Sequence, residues 1–292
     1  MGRRILVTGA SGTVGSVVMR HLAQMSQAFG LDVVGAARSD ASSEKLQLQG
    51  HESILFDYDK PETLGPAMKG VDALFLATGY TVDMLVHAKR ALDAAKKQNV
   101  RHIVHLGALA PDDSPHAHFA WHQIIDHTIR SMGFTYTNLH PNFFIDTVWD
   151  AFKHRPDRIV HFVGDQRVSF ISSDDMAEVA ATVLADPDAH PGQDYRLATE
   201  ALTFYQVAEI LTEVTRRPVE YRPRPAADLL PILLKQQMEP VYAKSLAEGV
   251  AAIEAGQVPM SGTTYDTVAK VTGRQPIGWR EFAKTRKHEI MG

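Results

Sequence analysis

The chain has 292 residues, a net charge of −4 and no cysteine; 45% of it is apolar and 22% charged. These are the proportions of an ordinary globular protein, long enough for one large α/β domain or two lobes. They exclude a disulfide scaffold, a thiol nucleophile and a cysteine-held metal, give no reason to expect nucleic acid as a partner, and leave no apolar run near the ~20 residues that span a bilayer.

Residues Met1-Gly2-Arg3-Arg4 pass directly into a strand over 4–8. That start leaves no room for a signal peptide, and with the absence of cysteine it predicts a cytoplasmic protein. The strand runs into Thr8-Gly9-Ala10-Ser11-Gly12-Thr13-Val14-Gly15-Ser16. Strand, glycine-rich turn and helix in this order predict a nucleotide-binding turn. Gly9 makes the turn, Gly12 lets a pyrophosphate approach the backbone, and Gly15 lets the helix pack on the strand. Free N–H groups at the helix start then hold the phosphates. The helix over 13–28 carries Val14, Val17, Val18, Leu22 and Met25 as an apolar stripe.

Further strands are predicted at 32–37, 52–56, 72–77, 101–106 and 135–139. Helices are predicted at 61–69, 81–98 and 115–132. This alternation argues a doubly wound parallel sheet of Rossmann type. The second half changes character. Strand signals thin to 168–171, 195–198 and 219–221, among helices at 173–186, 203–216, 227–256, 262–272 and 278–289. The reading is a dinucleotide-binding domain over 1–150 and a smaller, mainly helical lobe over 151–292. Strands from about 168–198 are expected to return to the sheet, and Arg222-Pro223-Arg224-Pro225 reads as a linker.

The second strand ends in Arg38-Ser39, where an NAD-binding domain places an acid for the ribose hydroxyls. An arginine there pairs with a 2′-phosphate, so NADP(H) is expected, with Ser11 and Ser39 adding hydrogen bonds.

The turn Thr8–Gly15 resembles the short-chain dehydrogenase/reductase superfamily in its atypical branch. Leu139-His140-Pro141-Asn142-Phe143-Phe144 resembles a family pattern that carries arginine where His140 stands. Phe170-Ile171-Ser172-Ser173-Asp174-Asp175-Met176-Ala177 and Thr272-Gly273-Arg274-Gln275-Pro276 are similar to motifs of the NmrA-like group. That group contains quinone oxidoreductases, triphenylmethane-dye reductases and redox-sensing regulators. The resemblance implies adenine contacts at Asp57 and Tyr58. It places the ribose and pyrophosphate along Ala77, Thr78 and Gly79, and the nicotinamide beside Pro141, Asn142 and Phe143.

The familiar members of the superfamily use Ser, Tyr and Lys, the last two as Tyr-x-x-x-Lys. No tyrosine here has a lysine four residues later, and the matching positions are His118 and His122, with Gly107-Ala108 at the serine position. A spacing of four puts both histidines on one helical face. His122 is then a candidate ribose contact, and either is a candidate proton donor. His102 and His105, on a strand, read as packing or loop-facing groups. The histidines of 102–161 show no third ligand at a fixed spacing, so no metal is expected.

Two functions compete. One is an NADPH-dependent reductase of a quinone, dye or other conjugated small molecule, working as monomer or homodimer. Its apolar pocket would draw on Trp149, Phe152, Leu229, Leu230, Ile232, Leu233, Leu234 and Met238, with packing in a helical core the favoured alternative for Leu229–Leu234. The other is a catalytically inactive NADP(H) sensor that regulates a protein partner.

Overall fold

The computed structural model describes residues 2–290; Met1 and the last two residues of the second lobe lie outside the described residues. Its strands are β1 (Arg3–Val7), β2 (Leu31–Ala37), β3 (Glu52–Leu55), β4 (Ala73–Leu76), β5 (His102–Leu106), β6 (Thr135–Pro141), β7 (Phe143–Phe144), β8 (Arg158–His161), β9 (Val168–Ile171), β10 (Gln193–Leu197), β11 (Glu200–Leu202) and β12 (Glu220–Pro223). The helices are α1 (Thr13–Phe29), α2 (Asp40–Leu48), α3 (Pro61–Ala67), α4 (Met84–Lys97), α5 (Ala117–Ser131), α6 (Ile145–Lys153), α7 (Ser173–Ala185), α8 (Phe204–Thr215), α9 (Leu229–Lys235), α10 (Pro240–Glu254), α11 (Thr267–Thr272) and α12 (Trp279–Arg286).

Seven strands form one parallel sheet in the order β10-β6-β5-β4-β1-β2-β3. Each strand alternates its side chains between two covered faces. Ile5, Val7, Phe75, Val104 and Leu139 pack under α1 and α7. Leu6, Leu74, Leu76 and Ile103 pack under α3, α4 and α5. The strand order reverses between β1 and β4, and the crevice outside their carboxyl ends is where such a sheet binds ligands. Helix α1 turns Val18, Met19 and Leu22 wholly inward and stops at Gly30, whose φ of 62° is left-handed. Each such apolar side chain contributes on the order of 1.5–3 kcal/mol by leaving water.

A second core buries Trp149, Phe152, Phe170, Phe204 and Trp279 together. Several expectations change here. Only β10 returns to the main sheet. Strand β9 pairs with β11 and β7 in a separate three-stranded sheet. The expected linker at 222–225 begins as strand β12, which pairs with β8. The helix expected over 227–256 breaks between α9 and α10. Pro240 lacks the N–H needed to continue a helix, and Gln237 takes a φ of 62°. Glu239 then starts α10 afresh by accepting from the Val241 and Tyr242 N–H groups, at 2.7 and 3.0 Å. Of 262–272, only 267–272 is α-helix.

Arg274 binds the second lobe's tail to α7. Its guanidinium donates to Asp175 Oδ1 at 2.7 Å and to Glu178 at 2.6 Å, while the Ile277 N–H donates to Asp175 Oδ2 at 2.8 Å. The two motifs at 170–177 and 272–276 thus meet in one contact. No described helix is long and apolar enough to cross a membrane.

Candidate functional site

The glycine turn is held from below by Thr8, whose buried hydroxyl donates to the Phe75 carbonyl at 2.9 Å and accepts from the Ala77 N–H at 2.7 Å. Gly9 has a φ of 64°, and its carbonyl accepts from the Gly12 N–H at 2.9 Å. A Cβ on Gly15 would lie 2.1 Å from the Gly9 oxygen, so only glycine lets α1 start this close to the strand. No side chain caps α1, and Gly12 stands at its N-cap. The N–H groups of Thr13, Val14 and Gly15 therefore have no intrahelical partner and face the loop with the positive end of a 17-residue helix. This cradle suits a pyrophosphate.

The ends of the neighbouring strands bring the other expected residues to the same edge. Arg38 is exposed and forms no ion pair among the described residues. The Ser39 hydroxyl caps α2 by accepting from the Ser42 N–H at 3.3 Å, so α2, absent from the sequence reading, starts beside Arg38. Tyr58 donates to the Ala77 carbonyl at 2.8 Å and stacks on His87. Asp57 accepts from the Asp59 N–H at 3.1 Å and faces Lys60 at 3.4 Å. Thr78 and Gly79 continue from β4, and Ser11 accepts Lys45 on its carbonyl at 2.6 Å.

At the ends of β5 and β6 the expected residues make contacts of their own. Asn142 donates to Ser169 and to the Ser261 carbonyl, each at 2.8 Å, so its amide ties the end of β6 to β9 and to the segment before α11. Phe143 packs edge-on against His161 and Phe170 of the second core. Trp149 and Phe152 are buried in the second core, a correction to the expected pocket; Leu229 and Leu233 take the core-packing alternative, and Leu234 is exposed. Leu230 and Met238 pack against that core while partly exposed.

His118 and His122 do lie together, their rings 5.2 Å apart and perpendicular. The start of α5 has no cap of its own. Ser245 from α10 supplies one, accepting the His118 N–H at 2.6 Å. His118 Nδ1 meets the Tyr242 hydroxyl at 3.0 Å. Burial pushes His118 down to about 4 and His122 well below the ordinary histidine value, where His105 and His118 also oppose its charge. Both are neutral imidazoles at neutral pH.

The sequence reading did not connect three groups that the fold places behind them. His105 points from β5 into α5 and meets Asp126 Oδ1 at 2.7 Å; His140 meets Asp126 Oδ2 at 3.0 Å. Burial pushes the Asp126 carboxyl up, but the two imidazoles outweigh it and hold it well below the usual carboxylate range. His140 also occupies the space that a side chain at position 107 would need: a Cβ on Gly107 would lie 2.8 Å from its Cδ2. His102 is a packing residue, bonded to Thr135 and Thr137 at 3.0 and 3.2 Å. Asp126 was within reach of sequence reasoning, since it continues the four-residue spacing of His118 and His122. Tyr242 carried no such signal. Among the described residues no three histidine, aspartate or glutamate side chains are placed so that they could hold a metal ion.

The glycine cradle, the uncapped helix and the parallel sheet define a dinucleotide-binding Rossmann protein. The chain belongs to the NmrA-like family, whose model matches residues 1–282. It is 30% identical over 290 residues to an NAD(P)H azoreductase of Xenophilus azovorans, covering 96% of each chain. It is 27% identical over 276 residues to quinone oxidoreductase 2 of Escherichia coli, covering 92% of this chain and 94% of that one. Among solved structures it is similar to a Citrobacter sp. triphenylmethane reductase complexed with NADP(H), at a TM-score of 0.80 and 26% identity over 96% of this chain and 99% of the other.

Proposed function

We propose that the chain is an NADPH-dependent reductase of small apolar or aromatic acceptors, namely quinones, dyes and related conjugated molecules. The observation that carries this reading is the cradle at Gly9–Gly15, backed by an uncapped helix, in a chain similar to reductases along nearly its whole length. Gly9, Ser11, Gly12, Thr13, Val14 and Gly15 would hold the pyrophosphate, and Arg38 and Ser39 the 2′-phosphate. Asp57 and Tyr58 would border the adenine, Ala77, Thr78 and Gly79 the ribose and pyrophosphate, and His122 the nicotinamide ribose. Pro141, Asn142 and Phe143 would flank the nicotinamide. The bound nicotinamide supplies hydride. A conjugated acceptor takes hydride without a strong acid at its side, which suits a helix α5 that carries neutral imidazoles in place of Tyr and Lys.

The 2′-phosphate assignment has its own test. Arg38→Ala raises the Kd for NADPH by about 10- to 100-fold, the worth of a charge-assisted hydrogen bond, and leaves NADH binding within about twofold. Equal losses for both dinucleotides in calorimetric titrations would remove Arg38 from that role. The function itself is tested by following oxidation of NADPH and NADH with purified protein against quinones, azo dyes, triphenylmethane dyes and enals. Turnover with NADPH on any of them is the expected result. Tight NADPH binding with no turnover on the whole panel would overturn it in favour of a dinucleotide sensor.

A further inference from the structure

Asp126 accepts from His105 Nδ1 at 2.7 Å, and the His105 ring packs beside His122 with 5.6 Å between centroids, so His122 is held from the sheet side.

His118 is set from the other side. Tyr242 is 2% exposed, and burial raises its phenol above the ordinary value, so its hydroxyl keeps its proton. Among the described residues, His118 Nδ1 is its one hydrogen-bond partner. A buried O–H without an acceptor is costlier than an oxygen lone pair without a donor, so Tyr242 donates and Nδ1 accepts. The proton of neutral His118 is therefore on Nε2.

We propose that His118 presents its Nε2–H as a donor to the oxyanion that forms on the reduced acceptor, and that Tyr242 is the residue that positions and polarises it for this. The role rests on the reductase reading for its chemistry, but the tautomer of His118 does not. His118 stabilises charge without giving up its proton: hydride comes from the reduced nicotinamide, and the product anion takes its proton from water on release. A neutral imidazole suits this task, because a donor already in place needs no rearrangement as the charge develops.

Two measurements test it. Nitrogen-15 NMR of the imidazoles in the cofactor-free protein is expected to show the proton of His118 on Nε2. The reverse tautomer overturns the assignment, whatever the protein catalyses. Tyr242→Phe keeps the ring and removes the donor. It is expected to lower kcat on a quinone by about 10- to 100-fold, the scale of one oxyanion donor, with KM and the NADPH Kd within about twofold. An unchanged kcat in a folded Tyr242→Phe protein, with the wild type active, overturns the role of His118. An inactive wild type overturns the reductase reading instead, and the spectra still decide the tautomer.

Discussion

Gly15→Ala is expected to abolish dinucleotide binding. The added Cβ would lie 2.1 Å from the Gly9 oxygen and 2.6 Å from the Gly9 carbonyl carbon. Both are backbone atoms of the turn itself, so no side chain can rotate away to make room. Either α1 slides outward or the turn opens, and both movements dissolve the cradle of N–H groups. Overpacking of this kind costs about 1–3 kcal/mol of fold stability. The binding loss is larger, because every phosphate contact depends on the same turn: a rise of at least about 100-fold in the Kd for NADPH, or roughly 2.7 kcal/mol. Gly12→Ala provides the scale. Its Cβ would approach the same oxygen to only 3.1 Å, so a smaller loss is expected. Calorimetric titration with NADPH decides the order. A folded Gly15→Ala protein that binds within threefold of wild type, or a Gly12→Ala protein that loses more, would refute the account.

Asp175→Ala is expected to cost about 2–4 kcal/mol of stability, below the figure for a fully buried pair because Arg274 is one-third exposed and keeps Glu178. The carboxylate is wholly buried at the start of α7. Its removal orphans the Ile277 N–H and unties the segment that leads to Trp279 in the second core. Burial pushes the Asp175 carboxyl up despite its partners, so its charge adds less than its hydrogen bonds do. Asp175→Asn, which keeps the shape and one acceptor oxygen, is therefore expected to lose less than half as much. Urea denaturation of both variants measures the difference. An alanine variant within about 1 kcal/mol of wild type would show that the contact positions the tail without stabilising it.

Much of the first lobe was legible in the chain. The strands from β1 to β6 and the helices α1, α3, α4 and α5 follow from apolar periodicity and short connections. Helix α2 was missed because its apolar pattern is thin, with Leu46 its single buried residue, and its start is set by the Ser39 cap. Helix α6 was missed because Phe143-Phe144 runs straight into it, and Trp149 and Phe152 then read as a pocket wall. They face the second core instead, where Trp149 also donates to Glu289 at 2.9 Å. The short strand β8 carries too few residues for an alternation to show, whereas β12, expected over 219–221, runs on to Pro223.

The sequence by itself determined the glycine turn, the arginine at the end of β2, the absence of a Tyr-Lys pair and the shared face of His118 and His122. All of these are local: they depend on neighbouring backbone sterics, on helical spacing or on which residue types are present. Only the tertiary structure decided what those histidines meet. Tyr242 lies 124 positions from His118, and Asp126 is reached by His105 from one strand and His140 from the next. A hydrogen bond between elements so far apart leaves no period in the chain, because it is packing of the sheet against α5, and of α5 against α10, that brings the atoms together.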